Sequence, residues 1–214
     1  NFTNNSRLQK IRRYLEFNAL KDYQQYSELR STFSADIRET LFLKNYNFYD
    51  YYKKFFNYRT YLENISNTDV NTYLVDDILT KLDMSSMFAS LEGRVPFLDH
   101  TFIEFSSKIP MSLKLKGMKS KYILKKSLIG ILPKSIIYRK KQGFTFPLEG
   151  YIRKELKCLI KDNLTEKSEL HKYVDKKCIN QLLKLHYSKE KNYTNGLWVI
   201  FILKMWLDQY LNKS

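Results

Sequence analysis

All of the chain's glycines and prolines fall between Gly93 and Gly196, and the first 92 residues hold neither. Proline breaks a helix by removing a donor and by clashing with the preceding turn. Glycine weakens one through its backbone entropy. A stretch of that length without either breaker is expected to be helical with short polar links. Within it, Leu8, Ile11, Leu15 and Phe17 form one apolar stripe at helical spacing. Ser34 can cap a helix starting near Ala35, with Arg38 and Glu39 inside it. Phe48 to Phe56 is rich in aromatics, with Tyr51, Tyr52 and Phe55 on one side, and rings so spaced are expected in the core. Asn67-Thr68-Asp69 is expected to cap a helix over roughly 69–82. Its apolar face would be Val70, Tyr73, Leu74, Ile78 and Leu82. Asp77 and Lys81 fall in the middle of that face at i and i+4, where a carboxylate meets an ammonium. Either they form a pair inside the stripe, costly to desolvate and so kept for a reason, or they form a rim pair beside a broader stripe. Spacing leaves both open.

After Pro110, Ser112 to Lys116 alternates over four or five residues and is the one strand-like piece. Helical patterns resume at Tyr122–Leu128 and end at Gly130, a C-cap signal. Pro133 suits a helix first turn, and Gly143 breaks the chain again. Further helices are predicted near Leu148–Asn163, Val174–His186 and Gly196–Leu211. The last is apolar on nearly all sides and is expected at the domain centre.

The content of 43 % hydrophobic and 15 % aromatic residues makes the chain globular. A net charge of +15, from 37 Lys and Arg against 22 Asp and Glu, admits nucleic acid, acidic lipid or phosphorylated small molecules as partners. The cations are spread along the chain, however, and runs such as Arg139-Lys140-Lys141 are too short for a nucleic-acid tail. Cys158 and Cys178 form no CxxC pair, and His100, His171 and His186 are scattered, so neither a metal site nor a disulfide framework is expected. The N-terminal NFTNNSRLQK is polar and unlike a signal peptide. The most apolar run, Leu197 to Leu203, ends at Lys204, far short of a membrane span. A reducing, cytoplasmic setting without membrane contact is the expectation.

Three segments carry chemistry: YLVDDILTKLDMSSMFASLEGRVPFLDH (73–100), KSKYILKKSLIGILPKSIIYRKKQGFTFPL (119–148) and GLWVIFILKMWLDQYL (196–211). In this order they resemble the glutamine-hydrolysing asparagine synthetase family, over the C-terminal part of its synthetase domain. The matching residues include Asp76-Asp77, Lys81, Asp83, Ser86-Met87, Leu91 to His100, Lys121, Arg139, Lys141, Gly143-Phe144, Pro147-Leu148 and Leu197-Trp198. Several separate motifs in sequence are far more specific than one short pattern.

The resemblance implies a mainly α chain: the helical C-terminal portion of an α/β, adenine-nucleotide-hydrolase-like (PP-loop) domain, with the parallel sheet largely missing. It implies one domain over 1–214, with a helical lead-in over 1–68 and a motif-bearing region over 69–214. It implies an ATP- and Mg2+-dependent ligase that adenylates a carboxylate, aspartate first among candidates, and amidates it with glutamine-derived ammonia. Glu92 matches the glutamate beside the acyl-adenylate, and Lys141 matches the lysine that stabilises phosphate charge. Lys121 matches a basic position near that site. Arg139, Asp77 and Lys81 are expected to bind phosphate or substrate.

Chemistry supports those roles. Departing pyrophosphate builds up negative charge, which fixed cations stabilise. Attacking ammonia must lose a proton, and a carboxylate in an apolar pocket takes it well. Met87, Phe88, Ala89 and Leu91 could form such a pocket around Glu92. Alternatively, Glu92 pairs with Arg94 and holds the loop, and the basic turn is simply solvated. Arg94 and Asp99 are read as structural, satisfying turn amides and carbonyls.

Two departures matter. The family binds ATP through a Ser-Gly-Gly-x-Asp-Ser loop, yet no two glycines here are adjacent; its glutaminase nucleophile is an N-terminal cysteine, yet residue 1 is Asn. The chain is therefore expected to be a piece, needing a nucleotide-binding half and a glutaminase domain as partners. Exposed apolar surface and self-association are expected where the sheet would dock. Met84 stands where many relatives have an arginine. Sugar-acid or peptide carboxylates remain alternative acceptors, and a basic helical module binding nucleic acid or protein without catalysis is the alternative of another class.

Overall fold

The computed structural model describes residues 14–44, 46–143 and 146–211. It is mainly helical, and its one sheet among the described residues is a two-stranded antiparallel hairpin. The backbone divides into two compact units, one from the residues up to Tyr51 together with those after Gly143, the other from Tyr52 to Gly143.

In the first unit, residues 14–18 are helical, but Leu15 is exposed, and Leu8 and Ile11 of the expected stripe lie outside the described residues. Helices follow at Asp22–Arg30 and Ala35–Leu41. Ser34 does precede the second, although its hydroxyl makes no cap hydrogen bond. Arg38 is buried, forming an ion pair with Glu28 and donating to the Phe33 carbonyl at 2.7 Å. The Tyr49 hydroxyl donates to Glu28 at 2.8 Å.

The aromatic run is not the core it was expected to be. Tyr51 is 48 % exposed, Tyr52 and Phe55 are only half-buried, and a single turn, Asp50–Lys53, is helical. Asn47 explains the late start: its side chain accepts from the Tyr49 N–H and donates to Asp50, a local alternative to helix bonds.

The core gathers instead on Leu148–Arg153, Lys157–Thr165, Lys176–Tyr187 and Thr194–Tyr210. The single helix expected over 148–163 is broken at Lys154 (φ −120°, ψ −89°), with the Tyr151 carbonyl accepting from both Lys154 and Leu156 across the break. Ile152 and Ile160 are fully buried on either side. Asp175 caps the next helix by accepting from the Cys178 N–H at 2.6 Å.

Thr194–Tyr210 buries Leu197, Ile200, Phe201 and Leu207, each burial worth roughly 1.5–3 kcal/mol. A Cβ at Gly196 would stand 2.4 Å from the Phe33 ring, so the helix needs glycine to approach that close. The expectation of burial all round is corrected: Val199, Ile202, Met205 and Trp206 are exposed, and Lys204 is the buried cation, donating to Asn163 at 2.7 Å and pairing with Asp208. Apolarity on every side marks what a helix can bury, not what its neighbours cover.

In the second unit, Thr60 and Glu63 form a reciprocal capping box that starts the helix Tyr61–Asn71. Asn67-Thr68-Asp69 therefore lies inside a helix rather than at its start. The Thr68 hydroxyl bonds back to the Asn64 carbonyl at 2.7 Å, and Asn67 donates to the Phe55 carbonyl at 3.0 Å. At Thr72 the backbone departs (φ −128°, ψ −77°), Tyr73–Leu79 winds as a π-helix, and Thr80–Phe88 resumes the α form. The apolar face drawn at α spacing does not hold through that wider winding.

Asp99 then caps His100–Lys108, accepting from the Thr101 and Phe102 N–H groups at 3.0 and 3.3 Å. These bonds, led by the Thr101 hydroxyl, hold its carboxyl below the usual range. Of the strand expected over 112–116, only Leu115–Lys116 forms, pairing with Lys119–Ser120 across Gly117 (φ +55°), while Met111–Lys114 is helical. The helix Tyr122–Ser127 is followed by Gly130 in the left-handed region (φ +88°), and Pro133 precedes Lys134–Ile137 as anticipated. Among the described residues no helix is long and apolar enough to cross a membrane.

Candidate functional site

All six sequence-selected residues lie in the second unit. Asp77 is in the π-helical stretch, and its carboxylate meets Lys81 at 2.9 Å. Both side chains are well exposed, so they form neither a desolvated pair nor a pair at the rim of a broader buried stripe. Val70, Tyr73, Ile78 and Leu82 of the supposed stripe are exposed as well.

Glu92 stands on the irregular segment between Phe88 and Pro96. A Cβ at Gly93 would lie 3.3 Å from the Leu82 side chain, so this segment rests closely on the helix that carries Lys81. The apolar enclosure expected of Glu92 is not formed by the described residues. Its side chain is 69 % exposed and accepts from Arg94 Nε at 2.9 Å. Its apolar neighbours turn outward, with Phe88 94 % exposed. A buried helix needs a second layer to cover such side chains.

Lys121 joins the hairpin to the helix Tyr122–Ser127 in the left-handed conformation (φ 55°, ψ 37°), which is uncommon for a side-chain-bearing residue. Arg139 and Lys141 follow Lys134–Ile137 on exposed, non-helical backbone. Gly143 has open space where a Cβ would go, and Phe144 of the same motif lies outside the described residues. Among the described residues, Lys121, Arg139 and Lys141 take part in no ion pair, so their charge is free to meet an anion. The structure joins Asp77 to Lys81 and Glu92 to Arg94; it makes no direct bond among Glu92, Lys121, Arg139 and Lys141.

One feature was missed by the sequence reading. A cleft of about 390 Å³ is lined by Lys119, Tyr122, Lys125, Lys126, Ile129 and Tyr138. The spacing of Tyr122, Lys125, Lys126 and Ile129 at i, i+3, i+4 and i+7 was the available signal.

The family model described as asparagine synthase matches residues 2–208. Asparagine synthetase [glutamine-hydrolyzing] 1 of Bacillus subtilis is 33 % identical over 181 residues, covering 81 % of this chain and 28 % of that protein. Asparagine synthetase [glutamine-hydrolyzing] 3 of the same organism is 38 % identical over 120 residues, 56 % of this chain and 20 % of its own length. The Gallus gallus asparagine synthetase [glutamine-hydrolyzing] is 27 % identical over 143 residues, 59 % of this chain and 25 % of its own. The chain thus matches about a quarter of the length of these relatives. No solved structure matches it at a significant level. With the family model running over nearly the whole sequence, the chain belongs to the asparagine synthase (asparagine synthetase) family.

Proposed function

We propose that the chain is the helical C-terminal portion of a glutamine-dependent, ATP-consuming ligase of cytoplasmic setting, and that residues 1–214 act as one part of a PP-loop synthetase domain. What carries this reading is the ordered motif series within a family match over residues 2–208. A substrate carboxylate oxygen attacks the α-phosphorus of ATP, forming an acyl–phosphate bond as the bond to pyrophosphate breaks. Ammonia then adds at the carbonyl carbon, the C–N bond forms and AMP departs.

Lys141, Arg139 and Lys121 neutralise the charge that grows on the leaving pyrophosphate. Their lack of carboxylate partners among the described residues supports this. Glu92 accepts the proton that the adding ammonia sheds, once the nucleotide-binding half covers Phe88 and Leu91 and releases it from Arg94. Asp77 and Lys81 lie on the helical stretch leading to the segment of Glu92 and contact substrate from there. Aspartate is the first candidate acceptor, as the names of the relatives suggest. Mg2+ would accompany ATP.

The test is asparagine formation and pyrophosphate release by the polypeptide carrying this chain, given aspartate, glutamine and ATP–Mg2+. Lys141→Ala and Glu92→Gln should each lower kcat by about 10²-fold or more, the scale of a lost electrostatic or proton-transfer group. Lys140→Ala is the neighbouring control and should stay close to wild type. Synthesis that survives both substitutions would overturn the role assignments.

A further inference from the structure

Beyond the synthetase reading, we infer that the cleft between the hairpin and the Tyr122–Ser127 helix binds a polyphosphate group, either the phosphate chain of a nucleotide or a free inorganic polyphosphate. The cleft is about 390 Å³, within the range of small-molecule sites. Three lysines, Lys119, Lys125 and Lys126, are among its lining residues, and no Asp or Glu is. The surrounding sequence explains why. Eleven lysines and arginines stand from Lys108 to Lys141, and no Asp or Glu occurs between Glu104 and Glu149. Among the described residues none of these cations has an ion-pair partner.

That arrangement carries a cost that the fold offsets only in part. In the hairpin, Lys116 stands directly opposite Lys119, and like charges so placed repel. Lys116 takes its relief from the Tyr122 ring, with Nζ 5.0 Å from the centroid. Lys119 has no such contact and opens on the cleft beside Lys125 and Lys126. A compact polyanion there would neutralise all three ammonium groups at once. The walls are Tyr122, Tyr138 and Ile129, surfaces on which a base can stack. A nucleic-acid strand would need a basic track several nucleotides long rather than one pocket of this size.

The experiment is lysine acylation of the full chain, read by mass spectrometry, with and without inorganic tripolyphosphate or ATP in low-salt, Mg2+-free buffer, together with isothermal titration. Tripolyphosphate should protect Lys119, Lys125 and Lys126 while leaving Lys134 reactive. Replacing Lys125→Glu and Lys126→Glu together should weaken binding by about 10-fold or more, whereas Lys134→Glu should leave it within about twofold, because a distant exposed charge is screened. ATP binding tighter than tripolyphosphate, with Tyr138→Ala removing the difference, assigns a nucleotide; equal affinities assign free polyphosphate. Protection spread evenly over surface lysines, protection confined to Lys121 and Lys141, or displacement of tripolyphosphate by a short oligonucleotide in preference to ATP would each overturn the inference. Acylation is read on the unsubstituted chain, so a misfolded variant does not cloud it. Loss of synthesis in Glu92 or Lys141 variants leaves the protection pattern unchanged, which separates this site from the synthetase roles.

Discussion

His186 is fully buried in the Lys176–Tyr187 helix, where its Nδ1 accepts from the Tyr193 N–H at 3.2 Å and its Nε2 has no hydrogen-bond partner. An accepting Nδ1 requires a neutral ring with the proton on Nε2. Burial pushes its pKa down, the Arg153 guanidinium pushes the same way, and Glu149 opposes. A histidine whose folded pKa is depressed stabilises the fold fully above its ordinary pKa, and that contribution is lost as pH falls through the lowered value. Stability in urea should therefore drop as pH is lowered from about 7.5 to 5.5, across the ordinary histidine range. His186→Asn keeps an acceptor for Tyr193 but cannot titrate, so it should be less stable overall yet lose less between the two pH values. An undiminished loss in that variant would remove His186 as the cause. Nothing in the spacing of the histidines marked this one, because burial is set by which neighbours pack around a helix. Glu92 shows the converse: its apolar neighbours in sequence were legible, but they face outward, and adjacency in a chain does not make a pocket.

A candidate capping residue was an uneven guide to where helices start. The sequence placed a start at Ala35 and another after Asn67, and only the first lies at a helix boundary. Thr60 with Glu63 offered two reciprocal bonds, while Thr68 already had a carbonyl to bond inside the helix. The capping box should then carry stability that the other cap does not. Thr60→Ala should destabilise its unit by about 1 kcal/mol, and Ser34→Ala, whose hydroxyl makes no cap bond, by well under that amount. Urea titrations followed by amide exchange at Asn64 and Thr68 would measure the first, and equal costs at both positions would contradict the assignment. The π-helical turn at Tyr73–Leu79 was illegible for a different reason: an apolar pattern assigned at α spacing has no means of registering a change in winding. The hairpin around Gly117 was half legible, since alternation marked Leu115 and Lys116 while the returning strand, Lys119–Ser120, is polar.

Buried apolar side chains are distributed very unevenly over the molecule. Every one among the described residues except Ile137 belongs to the first unit, on the last four α-helices and at Tyr26, Phe33, Leu41, Leu170 and Val174. The second unit holds the motif series, yet leaves Met84, Phe88, Leu91 and Met118 exposed and buries mainly Asn64, Thr68 and Thr72. Since apolar burial is the main favourable term in folding, the first unit should resist opening and the second should not. Hydrogen exchange on these 214 residues should find the amides of Lys176–Tyr187 and Thr194–Tyr210 the slowest in the chain. Amides of Thr80–Phe88 and Tyr122–Ser127 should exchange about 100-fold faster or more, through local opening. A covering layer would change only one of these. If the motif-bearing unit takes its missing apolar contacts from a nucleotide-binding half, exchange in Thr80–Phe88 should slow strongly in the longer polypeptide while that in Thr194–Tyr210 stays put. Strong concentration dependence of the same amides in the short chain would instead point to self-association through Phe88 and its neighbours. Uniform protection of both units in the short chain would contradict the argument, because it would require a core that Tyr52–Gly143 does not contain.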